Sequence, residues 1–202
     1  MKHNERYERF HAYVDKLPDF RANVRSWRFW RDCLALFFAA SLLGHVLEYF
    51  WLWGLNLQEH WDLQAFPIIA EPYGIGVLVI LLFVYPLVKR KKIDVVGTFV
   101  LGVVFTTVVE FLCALILTLF HGSNPYWDYS HNALNLFGFV CLQNSLAFGF
   151  VALVFVYFMF PWIHHKMAQA NQKILNIVVV ALVILYAASL TSQFLWMGRI
   201  IL

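Results

Sequence analysis

Charge is what this sequence has least of. Asp, Glu, Lys and Arg together make up 13% of its 202 residues, while 61% are hydrophobic and the mean hydropathy is +0.67. A soluble domain of this size leaves too much surface wet to carry so much apolar side chain, so that class is excluded. Cysteine is scarce too. Cys33, Cys113 and Cys141 stand alone with no CxxC, which gives no support to a disulfide framework or a thiolate zinc site. No GxxxxGK[ST] phosphate loop occurs, so the chain has no ATP-hydrolysing motif of its own. GxSxG, HExxH and nucleic-acid motifs are also missing, and no nucleic-acid partner and no cofactor is expected. The first thirty residues are too polar and too long for the leading region of a cleavable signal peptide.

What is present is apolar length. Five runs, at 32–53, 72–88, 94–120, 136–160 and 174–197, are long enough to cross a bilayer, given that about 20 helical residues span a ~30 Å hydrocarbon core. The fold class expected is all-α: a polytopic bundle of five transmembrane helices over residues 32–202, preceded by a basic interfacial segment over 1–31. The second run is short and begins at a Pro, so it is expected to be tilted, broken or only just spanning.

Lys and Arg set the expected orientation. Lys2, Arg6, Arg9, Lys16, Arg21, Arg25, Arg28 and Arg31 precede the first run, Lys89 to Lys92 follow the second, and Lys166 and Lys173 follow the fourth. Of the fifteen positive residues only Arg199 falls on the other side. The positive-inside rule then places a multi-pass protein in the cell membrane with its N-terminus cytoplasmic and its C-terminus outside. In the leading segment Tyr7, Phe10, Val14 and Leu17 share one helical face until Pro18, and Trp27, Phe29 and Trp30 alternate with Arg25, Arg28 and Arg31 as headgroup anchors do.

An internal repeat is also expected. Laying Asp32–Trp53 on Asp94–Leu115 matches Asp32 with Asp94, Phe37 with Phe99, Val46 with Val108 and Glu48 with Glu110. Each Glu is followed by a loop with Trp-Asp (Trp61-Asp62, Trp127-Asp128) and then by a Gly entering the next span (Gly74, Gly138). The reading is two repeated helical hairpins plus a fifth helix, the hairpins related by an axis along the membrane normal.

Glu48 and Glu110 are the sharpest chemical features. Each lies sixteen residues past its Asp, about 24 Å along a helix, so both belong at matching depth in the membrane. An acid within a span costs on the order of 3 kcal/mol at the helix centre and normally faces a bundle interior, with a partner. Two readings stay open: a site for a cation, a proton or a polar substrate group, or protonated, hydrogen-bonded acids that hold helices together. His45 shares a helix face with Glu48, but the second copy has Thr107 in its place, so the carboxylate–histidine set of a di-metal bundle is incomplete and no metal is expected.

The loop NPYWDYSHNALN concentrates Trp127, Asp128, Tyr129, Ser130 and Asn135. Interfacial aromatics account for Trp127 and Tyr129 but not for the polar residues among them. Polar loop backbone at membrane depth is tolerated only when buried in protein or lining a wet cavity. The expectation is therefore a re-entrant cap over a cavity containing Glu48 and Glu110. The matching first loop contributes Glu71 and Tyr73 before Gly74 and Gly76. Gln143, Asn144 and Ser145 are expected to hydrogen-bond between helices.

With Glu110, Trp127-Asp128-Tyr129-Ser130, Asn135, Gly138 and Pro161, together with Gly44, Glu48, Tyr73, Gly74 and Gly76, residues 32–165 resemble the CmpB-type, ABC-transporter type IV family of integral membrane proteins. The first loop departs from that pattern, since the usual Asn-Arg-Gly before a Gly-Pro step is missing. The resemblance implies a permease-like transport component that takes energy from an ATPase on a separate chain. The ATPase would contact the N-terminal thirty residues or the segment 163–173. Substrate-binding candidates are Glu48, Glu110, Trp127, Asp128, Tyr129, Ser130, Asn135, Tyr73 and His45. A homodimer would enlarge the wall of so small a bundle. The other function considered is a membrane-embedded enzyme or lipid-binding protein whose paired carboxylates do acid–base work. The charge asymmetry makes one prediction. An epitope tag at the C-terminus should be reached by antibody in intact cells and one at the N-terminus only after permeabilisation; the opposite pattern would reverse the orientation.

Overall fold

The computed structural model describes the backbone of residues 2–20, 23–54, 69–124 and 126–201, with side chains for 7–20, 23–48, 50, 69–120, 122–124 and 126–191. The chain is all-α, with six helices: α1 (Lys2–Lys16), α2 (Trp27–Gly54), α3 (Glu71–Lys89), α4 (Val95–His121), α5 (Leu142–Gln169) and α6 (Gln172–Ile201). The last five are long and apolar enough to cross a membrane. A two-residue hairpin, β1 (Asn135–Leu136) paired antiparallel with β2 (Val140–Cys141), sits between α4 and α5. That hairpin is why the fourth span begins at Leu142 and not near residue 136: Asn135 to Cys141 belong to a folded loop.

Local chemistry sets the helix ends. The Asp94 carboxylate accepts from the Gly97 N–H at 2.8 Å and caps α4, whose other end stops at Gly122 in the left-handed region (φ 79°). This satisfies donors and acceptors that a helix end otherwise leaves open. Along α4, Val96, Val100, Val104, Val108, Leu112 and Ile116 recur every fourth residue and are all exposed. They form a stripe that suits lipid, while Thr98, Val109, Glu110 and Ala114 are buried on the inner side.

α2 packs on α3, and α4 packs on α5. Both crossings are made at a glycine. A Cβ on Gly74 would lie 2.7 Å from the Phe37 carbonyl oxygen, and one on Gly149 would lie 2.8 Å from the Phe99 ring. Six residues beyond its glycine each helix widens into a π segment, Ile80–Val84 in α3 and Phe155–Met159 in α5. An aromatic-proline pair follows at once, Tyr85-Pro86 or Phe160-Pro161. Proline lacks the N–H that would reach the carbonyl four residues back, so the ladder is locally broken there.

α1 closes this end of the bundle. Pro161 leaves the Tyr157 carbonyl without its usual donor, and the Tyr13 hydroxyl donates to that oxygen. Tyr85 donates to the Pro18 carbonyl, and Lys89 Nζ donates to the carbonyls of Val14 (3.3 Å), Asp15 (3.2 Å) and Leu17 (2.6 Å) at the end of α1. Val14 and Leu17 are buried with Leu81, Val84, Tyr85, Val88, Val156 and Phe160, while Tyr7 on the same face stays exposed. Lys91 pairs with Asp15 at 2.8 Å, which holds the Asp15 carboxyl below its ordinary 3.8. The pair therefore contributes at neutral pH and is lost as pH falls through the depressed value, and its exposure keeps the contribution small.

α6 touches the rest lightly. Val179 is buried, Tyr186 packs on Phe37 and Phe38, and Asn176 accepts from Trp27 Nε1 (3.3 Å) and from Arg31 (3.2 Å). Ile174, Ile177, Ile184 and Leu185 are exposed. The glycine crossing predicts that Gly149→Leu forces α5 off α4 at a cost of ~1–3 kcal/mol. A lower midpoint in detergent thermal unfolding checks this, and an unchanged midpoint would refute the close crossing.

Candidate functional site

The two span glutamates each meet a tyrosine. On α2, Glu48 accepts a hydrogen bond at Oε1 from the hydroxyl of Tyr73, in the first turn of α3. Gly44, one turn before Glu48, makes the room, since a Cβ there would fall 2.8 Å from the Tyr73 Cβ and closer still to its ring. The far side of that ring meets Phe148 of α5 edge-on at 5.9 Å. On α4, Glu110 is only 6% exposed, and its Oε1 accepts from the Tyr129 hydroxyl at 3.0 Å. Its other oxygen, Oε2, is buried with no hydrogen-bond partner among the described residues, as is Thr107 Oγ1 one turn earlier. Glu48 and Glu110 lie within electrostatic range of each other, and each phenol senses both carboxylates.

Tyr129 reaches Glu110 because the loop folds back. Glu110 lies eleven residues before the end of α4 at His121, about 16 Å along the helix. The loop and the length of the Tyr129 side chain together cover that distance, and Phe139 and Phe137 meet Phe111 at 5.6 and 6.4 Å. Its backbone groups are served internally: Tyr129 N–H to the Gly138 carbonyl (2.9 Å), Asn132 N–H to Tyr129 (2.9 Å) and Phe139 N–H to Leu136 (3.0 Å). That self-sufficiency is what low-dielectric surroundings demand of irregular backbone.

The other candidates of the loop hold this shape. Asp128 accepts from the Ser130 N–H (2.8 Å) and hydroxyl (3.0 Å). Asn135 donates to the carbonyls of Ser130 (3.2 Å) and Asn132 (2.9 Å) and accepts from the Gly138 N–H (3.1 Å). Trp127 Nε1 donates to the Phe139 carbonyl at 2.9 Å. Gly138 is required twice over, by its φ of 71° and by the Asp128 carboxylate, 2.7 Å from where a Cβ would stand. Leu134 and Phe137 also have positive φ (53° and 56°), and their side chains are about three-quarters exposed. Burial, then the Glu110 carboxylate, push the Tyr129 phenol well above its ordinary 10, so it stays a neutral donor.

The structure thus brings together Glu48, Tyr73, Glu110 and Tyr129, places Trp127, Asp128, Ser130 and Asn135 in the loop that carries Tyr129, and leaves His45 half-buried a turn from Glu48. Trp61 and Asp62 of the first loop lie outside the described residues. Sequence reasoning missed a third acid–phenol pair, Tyr186 of α6 donating to Glu71 Oε1 at 2.8 Å, because a lone Tyr in an apolar run carries no local signal. Asn144, expected to hydrogen-bond between helices, instead lies close to Tyr129 of the loop. Among the described residues no three His, Cys, Asp or Glu side chains converge as a metal site would need.

Five long apolar helices, with acids matched to phenols inside the bundle, define a polytopic α-helical membrane protein. The chain belongs to the family described as putative ABC-transporter type IV, whose sequence profile matches residues 35–194. No curated protein and no solved structure matches it. The geometry of the loop predicts that Gly138→Ala, by forcing a left-handed alanine, costs ~1–2 kcal/mol. The amide of Tyr129, bonded to the Gly138 carbonyl, should then exchange with solvent about ten-fold faster; unaltered exchange would mean the loop does not depend on this glycine.

Proposed function

We propose that the protein is a membrane transport component in which Glu48 and Glu110 bind a cation or the cationic or polar group of a substrate, with Tyr73 and Tyr129 positioning the carboxylates. The observation that carries this reading is the second oxygen of Glu110: buried, without a hydrogen-bond partner among the described residues, and within range of another acid. Such an atom is costly inside a bundle unless something binds it. The loop residues Trp127, Asp128, Ser130 and Asn135 serve the site by holding Tyr129 in place, and His45 flanks it.

Membership of the family together with the absence of a phosphate loop supports an ATPase on a separate chain as the energy source. The basic end of the bundle, with α1 and the segment 163–173, is the surface offered to it, in keeping with a cytoplasmic N-terminus. Two repeated hairpins are supported by the matched crossings at Gly74 and Gly149 and by the matched widened turns. These matches equate Gly74 with Gly149, a different partner from the Gly138 suggested by loop order. A homodimer would give the bundle a second wall.

One observation favours the other reading, a lipid-binding protein or membrane enzyme: the exposed Leu134, Leu136 and Phe137 beside the site. Gentle purification from the native cell, with mass spectrometry of bound proteins and small molecules, separates the two. A stoichiometric ATPase retained in Glu110→Gln, with transport lost, is the expected result. An isolated chain holding a lipid that Glu110→Gln releases would overturn the transport reading.

A further inference from the structure

Resting on that reading of the site, we infer that the acid pair is a proton-for-ammonium exchange site: a primary ammonium group enters against a proton that leaves. No Lys or Arg occurs between Arg31 and Lys89, between Lys92 and Lys166 or between Lys173 and Arg199, so the basic residues of the spans lie only at the helix ends and none stands along the helix interiors that carry the two carboxylates. The groups that surround them are these. α2 gives Glu48 and His45, α3 gives Glu71 and Tyr73, and α4 gives Glu110, Thr107 and Cys113. The loop gives Tyr129 and, on Glu71, Tyr126, α5 gives the neutral Asn144, and α6 gives Tyr186, also on Glu71. Among the described residues His45, on the helix of Glu48, is the side chain there that can become a cation, and neither carboxylate forms an ion pair.

Two carboxylates in mutual range, in a low-dielectric interior and without a fixed cation, do not both stay ionised. The empty site therefore carries at least one proton. When an ammonium enters, the carboxyl O–H bond breaks, the electron pair stays on oxygen, the proton leaves to water, and the N–H groups take its place. The charge of the site is unchanged by the exchange. The unpartnered atoms suit this ligand. Glu110 Oε2 accepts an N–H, and Thr107 Oγ1 lies a turn away on the same helix. The phenol of Tyr129 bonds to the same Glu110 carboxylate, that of Tyr73 bonds to Glu48 and its ring meets Phe148, so aromatic rings accompany both acids, and aromatic faces attract such cations. A hard metal cation wants six or more oxygens, and no three metal-ligating side chains converge among the described residues.

The test uses the full chain in detergent, titrated with methylammonium chloride in weak buffer while calorimetry follows binding and a pH indicator follows released protons. Expected are saturable heat, about one proton released per ammonium bound, and an apparent Kd that rises about tenfold for each unit fall in pH below the carboxyl's own titration. Glu110→Gln and, on a different helix, Glu48→Gln should each abolish proton release while eluting as the same monodisperse species; release that survives in both folded variants overturns the assignment. Heat without proton release overturns the exchange while leaving a cation site standing. Equal heat and release with sodium chloride overturns the ammonium assignment. Neither heat nor protons overturns both the exchange and the cation site on which it rests.

Discussion

In hydrocarbon a polar group must find its partner within the chain, and this one demand runs through the whole structure. It places a phenol against each of Glu48, Glu71 and Glu110. It gives the carbonyl that Pro161 leaves open to the hydroxyl of Tyr13. It folds the loop after α4 into a hairpin that bonds to itself. The apolar residues need no such arrangement. The outward stripe of α4 and most of α6 simply face lipid, which is as apolar as they are.

Tyrosine is the residue that meets this demand most often here. A phenol is long enough to cross between helices, neutral enough to be buried, and an obligate donor when it faces a carboxylate. The acids it serves come from different helices, so each bond also fixes the spacing of two elements. Tyr73 ties α3 to α2, Tyr129 ties the loop to α4, and Tyr186 ties α6 to α3. The same contacts that make the acids tolerable in the membrane thereby define the space between them.

The spans were legible because about twenty apolar residues in a row admit few other fates. Glu48 and Glu110 were legible because an acid in such a run is rare enough to stand out. The start of α5 was not, because Leu134, Leu136, Phe137 and Phe139 are as apolar as a helix and nothing in composition marks them as loop. The division of roles in the loop was hidden for a similar reason. Asp128, Ser130 and Asn135 look like ligands in a sequence, and only the fold shows where their hydrogen bonds go. The Glu71–Tyr186 pair spans 115 positions and depends on how α6 leans, which no local pattern encodes.

The contacts of α1 have a consequence for assembly. Its anchors come from far down the chain: Tyr13 bonds to Tyr157, 144 positions away, and Lys89 and Tyr85 of α3 grip the same C-terminal end. Part of the seat of α1, Tyr85 and Lys89 of α3, is in place with the second span, and the rest waits for the fourth, which carries Tyr157. Its complete seat therefore exists only once α3 and α5 have come together at this end of the bundle.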